Sequence, residues 1–207
     1  NVIPTPLHDE KLIQNEKNLA ERKGVLSVGR LIRRKGFDLL IKSFYEVNKK
    51  YPDLMLTIIG DGPEKDHLYN LIKRLSLESN VDIYSNVTSD FLTKQYMDNE
   101  LFVLGNHMLE NGDCEGAPNV FIEAGAYGMP SAGGREGGAS DVVEHGETGF
   151  LIDPKDTKVL AATILDFIDN KDKLESMGKK AMLKVKNNHD KRLAGKKFRE
   201  YIYECIE

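Results

Sequence analysis

The stretch Val25-Leu26-Ser27-Val28-Gly29-Arg30-Leu31-Ile32-Arg33-Arg34-Lys35-Gly36 decides the fold. Its first five residues are a short apolar run closed by glycine, the pattern of a strand buried on both faces. From Gly36 the period changes. Phe37, Leu40, Ile41, Phe44 and Val47 recur at helical spacing, with Lys42, Lys49 and Lys50 on the other side. Tyr51-Pro52-Asp53 ends that helix, and Leu54 to Ile59 reads as a second apolar strand. Gly60-Asp61-Gly62-Pro63 is then a turn into a helix with Leu68, Leu71, Ile72 and Leu75 on its apolar face.

The alternation runs on. Val81 to Tyr84 is a strand, Ser89 to Asp98 a helix and Leu101 to Leu104 a strand. A polar loop covers Asn106 to Ala117. Pro118 to Tyr127 reads as a helix, Pro130 to Ala132 as a short strand, Ala139 to Glu144 as a short helix and Gly149 to Ile152 as a strand. Asp156 to Glu207 reads as helical, with breaks near Asn170 and Asn188. Strands alternating with helices specify an α/β fold: a Rossmann-like parallel sheet with helices on both faces. Such sheets bind ligands at the carboxyl ends of their strands, near the point where strand order reverses. The loops around Gly29, Gly60, Ser85, Gly105 and Gly133 therefore form the candidate functional edge.

Composition narrows the function classes. The chain has 207 residues, 29 basic and 33 acidic, and a net charge of −4. A mildly acidic balance argues against a nucleic-acid binder that works through bulk positive charge, so no nucleic-acid partner is expected. No apolar run approaches the roughly 20 residues of a transmembrane helix. Cys114 and Cys205 are too few for a disulfide framework, which fits a reducing, cytoplasmic setting. Residues 1–24 are polar and carry prolines, and read as an interdomain linker with a surface segment. Residues 25–207 read as the domain itself. The chain opens on Asn1 rather than Met and is expected to be part of a longer protein.

Three loops carry candidate chemistry. Arg30, Arg33, Arg34 and Lys35 place four cations in six residues where a strand hands over to a helix. A helix N-terminus already favours anions, so cations there oppose helix stability. They make sense if an anion such as a diphosphate is shared, although a solvated basic turn is an equal alternative. Gly60-Asp61-Gly62 resembles the start of a dinucleotide fingerprint, but Lys65 stands where the third glycine belongs and the pattern fails. Gly133-Gly134-Arg135-Glu136-Gly137-Gly138 has four glycines in six residues, which lets backbone approach a ligand closely.

Glu123 is the only charge between Pro118 and Gly128. Burying a lone carboxylate is costly unless something donates to it. A sugar diol would serve, and so would an internal Lys, Arg or backbone N–H. Glu115 lies eight residues earlier. Continuous helix would separate the two by about 12 Å along its axis, too wide for an acid–base pair flanking one bond. No His-Glu-x-x-His or comparable cluster occurs, and His107, Asp113 and Cys114 merely share a loop.

Taken in order, these motifs resemble the C-terminal, donor-binding domain of GT-B-fold retaining glycosyltransferases of family 4, the glycosyl transferases of group 1. The resemblance runs from Val28-Gly29-Arg30-Leu31 through Lys35-Gly36, Ile59-Gly60-Asp61-Gly62-Pro63, Glu115 to Glu123 and Gly137-Gly138 to Gly149-Phe150-Leu151. It implies one half of a GT-B fold and a hexosyltransferase-like reaction. Arg30 and Lys35 would hold the nucleotide diphosphate, and Glu123 the ribose hydroxyls. Glu115 and the N–H groups of Ala117, Pro118's neighbour Asn119 and Val120 would surround the donor sugar and phosphate, with Pro118 shaping that wall. Gly29, Gly137 and Gly138 would line the same cleft, and the base would lie near Gly60 and Tyr84. The donor would be a UDP- or GDP-sugar, with no cofactor and no metal.

The resemblance also implies partners: an N-terminal domain bringing the acceptor site, and a glycan or lipid-linked acceptor at the inner face of a membrane. The chain departs from the usual pattern at Ala117-Pro118, in the long Asn106 to Asp113 loop and at Ser131-Ala132. Alternatives within the fold are a nucleotide-sugar epimerase or a phosphorylase. A non-catalytic nucleotide- or sugar-binding module is the alternative from another class.

Overall fold

Parallel strands buried from both sides need apolar residues at nearly every position, and the short runs of this chain supply them. The computed structural model describes residues 19–114, 116 and 119–189. Six strands, β1 (Val25–Val28), β2 (Leu56–Ile59), β3 (Val81–Tyr84), β4 (Leu101–Leu104), β5 (Ser131–Gly134) and β6 (Gly149–Ile152), form one parallel sheet in the order β3-β2-β1-β4-β5-β6. β1, β2, β4 and β5 are buried throughout, and only the edge strands β3 and β6 are partly open. The order reverses at β1, which pairs with both β2 and β4. That reversal opens the crevice in which such sheets bind ligands.

The helices are α1 (Phe37–Lys50), α2 (Lys65–Arg74), α3 (Ser89–Asp98), α4 (Asn119–Ala126), α5 (Thr157–Asp169) and α6 (Lys171–Asn188). α1 packs on α2 and α5, while α4 packs on α6. Right-handed crossovers put α3 and α4 on the face opposite α1 and α2. On that second face Tyr96 of α3 stacks on Tyr127 at 5.3 Å, and Phe102 of β4 meets Phe121 of α4 edge-on at 5.4 Å. α4 approaches α6 closely because Gly125 faces Val185: an added Cβ would sit 2.8 Å from Val185 Cγ2. Thr88 caps α3 through the Phe91 amide, and Asp156 caps α5 through the Lys158 and Val159 amides.

Three local readings differ from the structure. Leu19 and Arg22, in the stretch read as a surface segment, are buried. Arg22 Nη1 donates to the Tyr127 carbonyl at 2.9 Å and to the Tyr96 carbonyl at 3.4 Å, a cation placed where two helices end. β5 runs on into Gly133, which pairs with both β4 and β6, and into Gly134, which pairs with β6. The stretch after Gly137 is a single 3-10 turn, Gly138–Asp141, rather than a longer helix.

Candidate functional site

After β1 the chain is extended at Ile32, makes one 3-10 turn over Arg33–Lys35 and turns left-handed at Gly36, φ 63° and ψ 33°. The four cations separate in role. Arg33 Nε lies 3.9 Å from Glu64 Oε1, and Arg34 Nη1 lies 3.0 Å from Asp113 Oδ2. Those two tie neighbouring loops to the β1–α1 loop. Lys35 is buried, with its stem crossing Gly29: Lys35 Cε lies 3.6 Å from the point a Gly29 Cβ would occupy. Arg30 is exposed at the mouth of the loop. The structure thus brings Gly29, Arg30 and Lys35 to the strand-order reversal, and it recruits Arg33 and Arg34 to hold the loop.

Gly60 sits against the same point. An added Cβ there would fall 1.9 Å from the Gly29 carbonyl oxygen, so β1 and β2 exit the sheet backbone against backbone. Lys65, the residue that breaks the dinucleotide pattern, has a structural task. Its Nζ donates to Ser85 Oγ at 2.8 Å, and Ser85 Oγ donates to the Gly60 carbonyl at 2.8 Å. The ends of β2 and β3 are joined in this way. Tyr84, which closes β3, is 38% exposed and leans on Phe91 at 5.0 Å between ring centroids. It presents an open aromatic face at the edge to which Gly29 and Gly60 belong.

The loop after β4 is held by a residue that sequence reasoning missed. Asn106 is fully buried. Its Oδ1 accepts from the Gly134 amide at 3.0 Å, and its Nδ2 donates to the Glu136 carbonyl at 3.3 Å and the Gly134 carbonyl at 3.4 Å. Glu136 completes the link by accepting from the Met108 amide at 2.8 Å. The signal was a lone amide directly after an apolar strand. Gly137 adopts φ 82°, and the Gly138 amide donates to the Gly116 carbonyl at 3.1 Å. The glycine-rich loop therefore lies against the loop that precedes α4.

Asn119 and Val120 open α4, exposed and half-buried respectively. Glu123, one turn on, is half-buried, and Tyr96 Oη donates to its Oε2 at 2.8 Å. Among the described residues, the donor to the Glu123 carboxylate is thus a tyrosine of α3. Burial, and then the Glu123 carboxylate, push the Tyr96 phenol well above its ordinary range, so the hydroxyl keeps its proton. Glu115, Ala117 and Pro118 lie outside the described residues.

Among the described residues no group of three or more His, Cys, Asp or Glu is placed to hold a metal, and no helix is long and apolar enough to cross a membrane. An open recess of about 780 Å³ lies beside the site, lined by Arg33, Asp38, Glu64, His67, His107 and Lys155 among others. Of the residues proposed from the sequence to hold the donor (Gly29, Arg30, Lys35, Gly60, Tyr84, Asn119, Val120, Glu123, Gly137 and Gly138), none lines it, while Arg33 and His107 do.

The family model for glycosyl transferases group 1 matches residues 9–184. The chain belongs to that family. It is 34% identical over 184 residues to an uncharacterized glycosyltransferase of Haemophilus influenzae, covering 88% of this chain and 50% of the relative. It is 30% identical over 161 residues to the GDP-mannose-dependent alpha-(1-6)-phosphatidylinositol monomannoside mannosyltransferase of Mycolicibacterium smegmatis, covering 77% and 42%. Among solved structures it is similar to HepE of Anabaena in complex with UDP. The TM-score is 0.78 at 25% identity, over 90% of this chain and 50% of that one. The chain spans about half the length of the curated relatives it matches. Its sheet order and these likenesses make it a Rossmann-like unit of the GT-B type.

Proposed function

We propose that residues 25–207 are the donor half of a retaining, family 4 glycosyltransferase, which moves a hexose from a nucleotide sugar to a glycan or lipid-linked acceptor. The observation that carries this reading is the meeting of Gly29, buried Lys35 and exposed Arg30 at the strand-order reversal of the sheet. A nucleoside diphosphate laid along that edge has its charge beside two cations. As leaving group it is stabilised where negative charge develops, by groups already in place. The acceptor oxygen bonds to the anomeric carbon on the face from which the diphosphate departs, and the acceptor proton leaves with it. Glu123 takes the ribose hydroxyls, Tyr84 and Gly60 border the base, and Gly137 and Gly138 border the nucleotide. Glu115 and residues 117–120 surround the donor sugar.

The carrier is a UDP- or GDP-sugar. The mycobacterial relative is named for GDP-mannose and HepE was solved with UDP. A second, N-terminal domain supplies the acceptor site, no bound metal is needed, and the whole enzyme works in the cytoplasm at the inner face of a membrane. The test is calorimetric titration of UDP, GDP and the matching monophosphates into the wild type, Arg30→Ala and Lys35→Ala. Each substitution is expected to weaken diphosphate binding by about 1.5–3 kcal/mol, the worth of hydrogen bonds to charged groups, and monophosphate binding much less. Equal loss for both ligands, or no loss, would refute the assignment of these two cations.

A further inference from the structure

We infer that Tyr96 is a positioning residue for nucleotide recognition: its hydroxyl fixes the Glu123 carboxylate so that the second carboxylate oxygen meets the ribose diol. This rests on the reading of Glu123 as the ribose ligand.

Three features of the geometry support it. First, the hydroxyl cannot wander. The Tyr96 ring is 1% exposed, lies parallel to the Tyr127 ring within 4° at 5.3 Å, and is flanked by Phe102 at 6.4 Å. Second, α3 grips α4 at two levels. Thr93 and Tyr96 sit three residues apart on α3, and Tyr127 follows directly on α4 with its amide reaching back to the Glu123 carbonyl at 3.3 Å, so each pair shares a face. Tyr127 Oη lies 3.5 Å from Thr93 Oγ1, and Tyr96 Oη lies 2.8 Å from Glu123 Oε2. Third, the phenol supplies one proton to one oxygen. Among the described residues Tyr96 is the group that donates to Glu123, which leaves Oε1 its full capacity as an acceptor.

The chemistry matches a vicinal diol. Two adjacent hydroxyls bind a carboxylate well only when its plane is set in advance, because a glutamate otherwise loses rotamer freedom on binding. An internal donor that stays protonated sets that plane without competing for the ligand's own protons. A lysine or arginine in its place would neutralise the carboxylate and weaken it as an acceptor.

The experiment uses the protein with both halves present. UDP, GDP and their 2′-deoxy counterparts are titrated into wild type, Tyr96→Phe, Glu123→Ala and the double variant. Tyr96→Phe removes one oxygen and keeps the stacked ring. It is expected to lower affinity for the ribonucleotide that binds by about 5- to 10-fold, in line with the typical net worth of one hydrogen bond. Affinity for the 2′-deoxynucleotide should stay nearly constant, so discrimination collapses. In the Glu123→Ala background the same change should have no effect on the ratio. If Glu123→Ala abolishes discrimination and Tyr96→Phe leaves it intact, the positioning role is wrong while the ribose role of Glu123 stands. If Tyr96→Phe weakens all nucleotides by one factor, the tyrosine is only packing and the proposal falls. If Glu123→Ala leaves discrimination unchanged, or no nucleotide binds, the ribose reading fails and takes this proposal with it.

Discussion

The Cβ that Gly36 lacks would fall 1.9 Å from the carbonyl oxygen of Gly105. At this pair of glycines the β1–α1 loop and the exit of β4 meet backbone against backbone, where the strand order reverses. The contact sets how far the cation loop stands from the loop preceding α4.

Gly36→Ala meets two obstacles at once. The residue holds φ 63°, which an L side chain adopts at a cost of about 1–2 kcal/mol. The added methyl also forces the two loops apart, which costs about 1–3 kcal/mol more. Denaturant unfolding should show a loss of about 2–5 kcal/mol. A variant within 0.5 kcal/mol of wild type, the scatter of an unremarkable surface change, would mean that the loops do not touch in solution.

Asn106→Ala should loosen the link between the β4 and β5 loops without disturbing the sheet. The buried Gly134 amide loses its acceptor, and the Gly134 and Glu136 carbonyls lose a donor. An unsatisfied buried group costs about 1–3 kcal/mol. Stability should fall by about that amount, and amide exchange should quicken in residues 105–116 and 134–138 more than in β1 and β2. Uniform exchange across the sheet would contradict the local role.

Asp169 offers a pH test. Hydrogen bonds from Lys50, and then Tyr51, hold its carboxyl below the ordinary 3.8. A carboxyl with a lowered folded-state pKa stabilises the fold above its unfolded value, and that gain is lost as pH falls through the folded value. Asp169 in turn raises Lys50 above 10.5 and Tyr51 above 10.0, contributions that vanish as pH rises past those values. Wild type should therefore melt slightly above Asp169→Asn between pH 5 and 9. The gap should close below pH 4 and again above pH 11, and shrink in high salt because the cluster is exposed. A gap that is constant across that range would show the effect is not electrostatic.

Much of the fold was legible because parallel strands announce themselves. The runs 81–84, 101–104 and 149–152 match the observed strands, since each is a short β-rich run set off by turn or polar residues, and 101–104 is buried at every position. Gly133 and Gly134 carry no such mark: Gly133 joins β5 by pairing with Leu104 of β4 and Leu151 of β6, and Gly134 by pairing with Ile152 of β6. Arg22 reads as surface in a charged stretch. Its burial depends on carbonyls 74 and 105 residues away, which no local pattern can reveal. Glu123 lies between these cases. The sequence required a donor for its carboxylate, while the identity of that donor, Tyr96, depended on how α3 crosses α4.

A crystal structure with UDP or GDP soaked in would test most directly whether this sheet edge binds a nucleoside diphosphate. The diphosphate is expected beside Arg30 and Lys35 over Gly29, with the ribose on Glu123 Oε1. A nucleotide seated instead in the recess lined by Arg33, His67 and His107, with Glu123 still bonded to Tyr96 alone, would contradict it.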